Sequence, residues 1–425
     1  MFKFIHAADI HLDSPLVGLA KYDGAPVERL RGATRRAFEN LVQFALDERV
    51  AFVVIAGDLY DGDWKNFNTG IYLTNQLGRL IAAGIRVVLL YGNHDAESQL
   101  TKGLPLGAVQ VFPSRAAATI RFDDLGVALH GRSFKDRDTT ENLVPGYPAP
   151  VAGVLNIGVL HTALTGNALH APYAPCSLIE LVNKGYDYWA LGHVHAAQVL
   201  SRSPWVVFPG NLQGRHVKET GPKGAMLVTV EEQSITRVDP IHVDVLRWLQ
   251  LEVDATAAAT RAVVEERVRV ALEAAVREHA DGRPVAARVT IRGACGAHRE
   301  LVAHDDQLRA DLRAIAAGMG ADVAWIEKIR LETTDETEEK LQRDGDTGRG
   351  ALFEQLRQLL DEAPTDPELQ KRLLEDLTEL LGKVPSDARG EFEDGLSGWI
   401  RDGRLDEVVR VTTPVLLARL DGRRE

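Results

Sequence analysis

The strongest constraint on the fold is a series of five short apolar runs, each of which ends in Asp, Asn or His. The runs are residues 2–8, 51–56, 86–91, 154–160 and 186–191. Their length and their content of β-branched residues predict buried β-strands. Between the first two runs, apolar residues recur three or four positions apart, which indicates a helix. These residues are Leu30, Ala33, Ala37, Leu41 and Phe44.

Strands alternate with helical segments through the first 230 residues, and this alternation predicts an α/β fold. Further strands are predicted at 121–129, 205–208 and 224–230, with no long helices between them. The predicted fold class is therefore an α/β sandwich in which a mixed β-sheet is layered with helices.

The pattern changes near residue 246. Two helices and three strands are predicted at 249–253, 255–279, 284–291, 305–317 and 322–331, and they make a small α+β domain at 246–335. The stretch 332–350 holds seven acids and three glycines and has the composition of a mobile linker. We place the linker itself at 336–350. A helical region is predicted at 351–425, with a leucine stripe at Leu369, Leu373, Leu377, Leu380 and Leu381. The stripe fits burial within the chain and docking on a partner equally well.

Charge and composition limit the possible functions. The net charge of −12 argues against a protein coated with basic residues for nonspecific nucleic-acid binding. Residues 1–245 are nearly neutral, with 22 basic and 24 acidic residues, so an anionic substrate is expected there. The two cysteines fit a reducing compartment. No apolar run approaches about 20 residues, so we predict no membrane span and a cytoplasmic protein.

The residues that follow the five runs carry the chemistry. They are Asp9-Ile-His11, Gly57-Asp58, Gly92-Asn93-His94-Asp95, His161 and Gly192-His193-Val194-His195. In open α/β sheets, ligands bind beyond the carboxyl ends of the strands. Each motif alone has an ordinary explanation as a turn or a core histidine. Five such motifs in succession, each at a strand end, predict a functional site.

The residue types at these ends predict a metal site. Carboxylate, amide and imidazole ligands without a thiolate suit manganese, iron or zinc. The ligands are too many for one ion, and two ions about 3.5–4 Å apart, bridged by one carboxylate, would use them all. Asp58 is the natural bridge, because it follows a glycine and an apolar strand whose backbone can approach closely.

The ordered set of motifs resembles the calcineurin-like metallophosphoesterases. A closer likeness, to DNA-repair exonucleases of the SbcD type and to their YhaO-like branch, is carried by His11-Leu-Asp-Ser-Pro15 and Pro209-Gly-Asn-Leu-Gln-Gly-Arg-His216. The resemblance spans residues 1–240. For 246–335 as a nuclease capping domain, and for the tail as partner-binding helices, the likeness rests on order and pattern only.

The resemblance implies a role for each residue. It implies that Asp9, His11, Asp58 and His195 bind one metal ion, and that Asp58, Asn93, His161 and His193 bind the other. It also implies manganese as the metal, His94 as the catalytic histidine and Asp95 as the neighbour that orients it. Some nucleases of the family carry a second histidine three residues after the bridging aspartate. Asp61 stands there in this chain, and we assign it no catalytic role.

Other residues have weaker assignments. Arg215 and His216 are candidates for contacting a scissile phosphate, although a structural role in their loop is equally open. The cluster Arg29, Arg31, Arg35 and Arg36 fits a solvated helix face better than a DNA contact. Asp13 is a candidate for supporting the ligands, and His6 and His130 are expected to be core residues.

The main functional hypothesis is a two-metal DNA exonuclease or endonuclease that cleaves phosphodiester bonds. By the resemblance, it would act in DNA repair with an SMC-like ATPase held by the C-terminal helices, and possible homodimers would form through the phosphoesterase domain. One alternative is a small-molecule or nucleotide phosphodiesterase on the same metal site. Another is a scaffold subunit with a vestigial metal centre.

Overall fold

The computed structural model describes residues 1–14, 32–61, 67–97, 106–164, 173–320, 322–336 and scattered residues between 371 and 408. Its strands are β1 Phe2–Ala7, β2 Phe52–Ala56, β3 Arg86–Leu90, β4 Gln110–Val111, β5 Ala118–Phe122, β6 Val127–Gly131, β7 Leu155–His161, β8 Tyr188–Gly192, β9 Gln198–Arg202, β10 Trp205–Phe208, β11 Gly224–Glu231, β12 Ser234–His242, β13 Arg247–Asp254, β14 Val285–Cys295 and β15 Ala324–Asp335. Its α-helices are α1 Ala33–Glu48, α2 Phe67–Ala82, α3 Asn93–Glu97, α4 Leu178–Asn183, α5 Arg261–His279, α6 His298–Ala303 and α7 Asp305–Gly318.

Two six-stranded sheets carry the predicted motifs. The first has the order β12-β11-β1-β2-β3-β4, and β1 to β4 run parallel within it. The second has the order β5-β6-β7-β8-β10-β9, and β6, β7, β8 and β10 run parallel within it. Antiparallel pairing extends each sheet further, through β11 and β12 on one side of the first and through β5 and β9 at the two edges of the second. The predicted mixed sheet is therefore present twice.

Residue alternation along β1 explains the layers. Ile5 and Ala7 point to one face of the first sheet, where they pack with Phe38 and Leu41 of α1. Phe4 points to the other face and packs with Tyr188 of the second sheet. Because successive side chains of a strand face opposite sides, each central strand supplies both interfaces. The second sheet is covered in turn by a cluster that includes residues of α4.

The chain divides into two compact units. The first comprises Met1–Gln250, Val276–Arg288 and Gly320–Glu327, and the second comprises Leu251–Ala275, Val289–Met319 and Lys328–Glu425. In the second unit, α5 buries Val264, Val268 and Leu272 at helical spacing, and α7 buries Leu308 and Leu312. Strands β13, β14 and β15 form a three-stranded sheet in that order. The predicted boundaries 1–245 and 246–335 stay predictions.

The predicted α/β layered fold is confirmed, and three local predictions are wrong. The strand predicted at 121–129 is two antiparallel strands, because the chain turns at Gly126, whose φ is 64°. The helix predicted from residue 255 begins at Arg261, after an irregular stretch. The strand predicted at 322–331 runs instead from Ala324 to Asp335, and Thr333 and Asp335 at its end are buried.

Part of the predicted organisation lies outside the described residues. This applies to the linker after Glu336, to most of the helical region 351–425, and to Leu369, Leu373, Leu377, Leu380 and Leu381. Within the described part of the chain, no helix is long and apolar enough to cross a membrane.

Candidate metal centre

The loops that follow β1 and β2 lie side by side and carry three of the predicted ligands. The Asp9 amide donates to the Gly57 carbonyl and the His11 amide donates to the Asp58 carbonyl, both at 3.0 Å. Asp9, His11 and Asp58 have φ values of 51°, 45° and 56°, in the left-handed region. Each such residue costs on the order of 1–3 kcal/mol, and strain of this kind clusters at functional sites. The paired loops hold the strained backbone in place.

Two motif glycines let the strand ends approach one another. A Cβ atom on Gly92 would overlap Oδ1 of Asp58, and one on Gly192 would overlap the carbonyl oxygen of Ala56. The glycines that precede the Asn93 and His193 motifs are therefore required by close contact across the site.

Six of the predicted ligands, together with His94, form three overlapping trios of potential metal donors. The trios are Asp9, His11 and His195; His11, Asp58 and His94; and Asp58, His161 and His193. The donor atoms of each trio lie within 4.8 Å of one another. His11 and Asp58 each belong to two trios, so the donor sets are contiguous. All seven predicted ligands, including Asn93, come together at this point, although their binding of metal stays a prediction.

Asp58 occupies the position expected of a bridging carboxylate. Its Oδ2 atom lies 3.9 Å from Nε2 of His11 on one side and 3.4 Å from Nε2 of His161 on the other. Oδ1 of Asn93 lies 3.0 Å from the same nitrogen of His161. All four residues are buried. One oxygen therefore faces the donors of both predicted ions.

The loop after β8 joins the two sheets at the site. The backbone amide of His193 donates to both oxygens of the Asp9 carboxylate, at 3.1 and 3.0 Å. Nε2 of His195 lies 3.8 Å from Oδ1 of Asp9 and 3.2 Å from Nε2 of His11. The first sheet thus supplies Asp9 and His11, and the second supplies the two histidines that meet them.

Burial and mutual charge perturb the groups at the centre. Burial raises the pKa of Asp9 to about 6 and lowers the pKa of His11 well below its usual value. Burial also acts to raise the pKa of Asp58, but the imidazoles of His161 and His11 outweigh it and hold that pKa below its usual range. At His161, burial acts to lower the pKa, but attraction to the Asp58 carboxylate outweighs it and raises the pKa to about 9.

The residues present fit a pair of divalent ions. Buried carboxylates and imidazoles crowd together at a cost that a bound cation would offset. Nε2 of His11 faces Nε2 of His195, and Nδ1 of His11 is buried without a hydrogen-bond partner among the described residues. Nitrogen and oxygen donors of this kind suit manganese, iron and zinc.

His94 lies at the edge of the centre, and Asp95 lies beneath it. The His94 side chain is 28% exposed, and its backbone amide donates to Oδ1 of Asp58 at 3.1 Å. The Asp95 carboxylate is buried and accepts from the amides of Leu59, Tyr60 and Gly92. The Asp95 carboxylate therefore ties the loop after β2 to the loop after β3, which carries His94.

Arg215 reaches the centre, whereas His216 is more exposed. The Arg215 guanidinium lies 3.3 Å from Nδ1 of His195, 3.4 Å from Asp61 and 3.4 Å from Glu219. The His216 side chain is 38% exposed, and its Nε2 atom lies 3.5 Å from Glu219. Arg215 is thus well placed to meet a phosphate, and His216 stands further out.

Two residues that the sequence did not single out as functional contribute to the site. Oδ1 of Asp61 lies 3.6 Å from Nδ1 of both His11 and His94, and Ser14 donates to its other oxygen. Its position three residues after Asp58 was the available signal. Glu219 accepts from Nδ1 of His195 at 2.7 Å. Its position in the chain holds no comparable signal, because 24 residues separate the two.

The remaining assignments also find their places. Asp13 accepts a two-pronged bond from Arg35 and a further bond from Thr69, so it braces the loop that carries His11. Arg35 is therefore engaged with a carboxylate. His6 and His130 are fully buried in hydrogen-bonded core positions, as predicted. Arg29 and Arg31 lie outside the described residues.

Comparison with known proteins places this centre in a family. The calcineurin-like phosphoesterase family matches residues 2–197, and the middle domain of metallophosphoesterase YhaO matches residues 248–334. An uncharacterized metallophosphoesterase YhaO from Bacillus subtilis (strain 168) is 33% identical over 358 residues, which cover 83% of this chain and 86% of that protein. The chain belongs to the YhaO family. As a member of that family of calcineurin-like phosphoesterases, it is a metal-dependent phosphoesterase.

Two weaker similarities cover parts of the YhaO-family chain. The DNA double-strand break repair protein Mre11 of Methanopyrus kandleri is 26% identical over 216 residues, which cover 45% of this chain and 44% of that protein. A dimetal phosphatase from Danio rerio overlaps 57% of this chain and 98% of its own, with 13% identity and a TM-score of 0.33.

Proposed function

We propose that this protein is a two-metal-dependent DNA nuclease that hydrolyses phosphodiester bonds and acts in DNA repair. The observation that carries the proposal is the sharing of Asp58 between donor trios that include His11 on one side and His161 on the other. Likeness to Mre11 over 216 residues supports DNA as the substrate. Manganese is the proposed metal, because the family resemblance implies it and the oxygen and nitrogen donors accept it.

Each residue has a role in the proposed reaction. Asp9, His11, Asp58 and His195 would hold one ion, and Asp58, Asn93, His161 and His193 the other. Bound ions of this kind would supply an activated water and offset the negative charge that develops on the phosphate oxygens. His94 is partly exposed beside the centre, where it can protonate the leaving sugar oxygen. Arg215 can donate to a phosphate oxygen, because its guanidinium already lies among the carboxylates that ring the site.

The deciding experiment is manganese-dependent digestion of an end-labelled duplex and of its single strand, with bis-p-nitrophenyl phosphate assayed in parallel. We expect a ladder of DNA products that His94→Ala abolishes. The matched control is His304→Ala, which removes an exposed histidine from the second unit. Turnover of the small ester with DNA untouched would instead favour the small-molecule phosphodiesterase. No metal-dependent turnover of either substrate would favour a scaffold subunit.

The partners belong to the same proposal. An SMC-like ATPase would bind the helical region 351–425, so removal of that region would abolish co-purification of the two co-expressed proteins. Retained co-purification would exclude this docking site. A homodimer would show as a doubled mass in analytical ultracentrifugation. A cytoplasmic location would be checked by cell fractionation.

A further inference from the structure

Glu219 holds one of the predicted ligands from behind. Its Oε1 atom lies 2.7 Å from Nδ1 of His195, on the side of the imidazole ring opposite to Nε2, which faces the metal centre. Glu219 is only 8% exposed. A short bond between a buried carboxylate and the outer nitrogen of a ligand histidine fixes the orientation and the protonation of the ring.

The Glu219 carboxylate is itself held in one orientation. Its Oε2 atom accepts from Nδ2 of Asn211 at 2.8 Å and from the backbone amide of Arg215 at 2.7 Å. Both neighbours of this oxygen are donors, so the oxygen position is set by the surrounding chain. The other oxygen is left to face His195 and the Arg215 guanidinium.

We propose that Glu219 is a positioning residue that presents Nε2 of His195 to the metal. A carboxylate oxygen can only accept, so the 2.7 Å bond to Glu219 requires the proton on Nδ1 of His195. The Arg215 guanidinium, which lies 3.3 Å from the same nitrogen, then donates to the Glu219 carboxylate instead. Nε2 is then left with the lone pair that a metal requires. A metal-ligating histidine that donates its other nitrogen to a carboxylate binds more strongly, because its basicity rises.

The isosteric substitution Glu219→Gln separates this role from a merely structural one. The oxygen of the glutamine amide will take the Oε2 position, where Asn211 and the Arg215 amide both donate. Its NH₂ group must then face His195 and donate to Nδ1. The ring proton is thereby driven to Nε2, so the shape of the site is kept while its metal-binding nitrogen is blocked.

The inference rests on the metal centre of the proposed function but not on DNA as the substrate. It is tested by isothermal titration of the full chain with Mn²⁺ alone. We expect Glu219→Gln to bind one of two ions about 10- to 100-fold more weakly, with the other ion unaffected. Glu327→Gln is the matched control, because Glu327 is 5% exposed and bonds to Arg288 in the same unit.

Two outcomes would overturn the inference. One is a Glu219→Gln variant that binds both ions as tightly as the wild type. The other comes from nitrogen NMR of the metal-free wild type labelled with ¹⁵N-histidine, with His195→Gln used for assignment. In the neutral ring we expect the proton on Nδ1, and a neutral ring with its proton on Nε2 would contradict the role of Glu219 even if the variant failed to fold. If Glu219→Gln weakens ion binding but the wild type does not cleave DNA, the nuclease proposal is rejected and the role of Glu219 stands.

Discussion

The Nε2 atoms of His11 and His195 lie 3.2 Å apart, although 184 residues separate them in the chain. His11 follows the first strand of one sheet, and His195 follows a central strand of the other. Two ring nitrogens at this distance can share one proton at most, and a divalent cation gives both a better partner. This arrangement makes metal removal the most direct test of the site.

Metal removal is expected to lower the thermal stability of the protein. A ligand that binds only the folded state stabilises it by about 2.7 kcal/mol when its concentration is 100 times its Kd. We therefore expect Mn²⁺ to raise Tm above the value in EDTA. Asp58→Asn should lose most of that rise, because Asp58 faces donors of both ions. Thermal scans measure both effects.

The control for this experiment is Asp187→Asn, which changes an exposed aspartate of the same unit. It should keep the full manganese-dependent rise in Tm. An equal rise in Asp58→Asn would mean that the ion binds elsewhere.

Asp95 and His94 are adjacent, yet their substitution should lower the stability of the fold by very different amounts. Asp95→Ala strands three buried amide donors, of Leu59, Tyr60 and Gly92. Each buried donor left without a partner costs about 1–3 kcal/mol, so three of them should lower the free energy of unfolding by at least about 3 kcal/mol. His94→Ala should cost less than about 1 kcal/mol, because the ring is partly exposed. Urea denaturation in EDTA compares the two, and the reverse ranking would contradict this account of Asp95.

Arg215 should contribute to substrate binding rather than to metal binding. A hydrogen bond to a charged group is worth about 1.5–3 kcal/mol, so Arg215→Ala should lower kcat/KM by about 10- to 100-fold. The loss should appear mainly in KM for bis-p-nitrophenyl phosphate, with two manganese ions still bound. His216→Ala should lose less, since that side chain is 38% exposed. Equal losses of kcat/KM in both variants would contradict the larger role assigned to Arg215.

His6 predicts a pH dependence of stability that is separate from the metal centre. Nε2 of His6 donates to the Leu191 carbonyl, so Nδ1 accepts from the Tyr188 hydroxyl, and burial lowers the pKa of His6 to about 3. The unfolded chain takes up a proton below about pH 6.5, whereas the folded chain does not until about pH 3. The contribution of neutral His6 to the free energy of unfolding is therefore fully present above about pH 6.5 and is lost as the pH falls toward 3.

The measurement is urea denaturation of the wild type and of His6→Gln in EDTA at pH 7.5 and pH 5.5. The free energy of unfolding of the wild type, minus that of His6→Gln, should be about 1.4 kcal/mol lower at pH 5.5 than at pH 7.5. Other histidines contribute equally to both proteins and cancel. Parallel pH curves would show that His6 is protonated in the folded state.

The sequence predicted the layered fold, and which side chains gather at the strand ends, for a common reason. A buried parallel strand needs an uninterrupted apolar run, so Phe52–Ala56 can be recognised from the sequence as a strand. Polar residues directly after such a run must lie at the carboxyl end of the strand. The prediction was wrong at 121–129, where the tight turn at Gly126 interrupts a stretch that reads as one strand.

What the sequence alone determined is the set of residues delivered to the strand ends, because strand and helix periodicity depend on neighbours along the chain. What only the tertiary structure decided is which of those residues face one another. Asp58 lies between His11 and His161 because two sheets pack face to face, and Glu219 reaches His195 because the loop before β11 folds back over the loop after β8. Such contacts join residues far apart in the chain, where no local pattern records them.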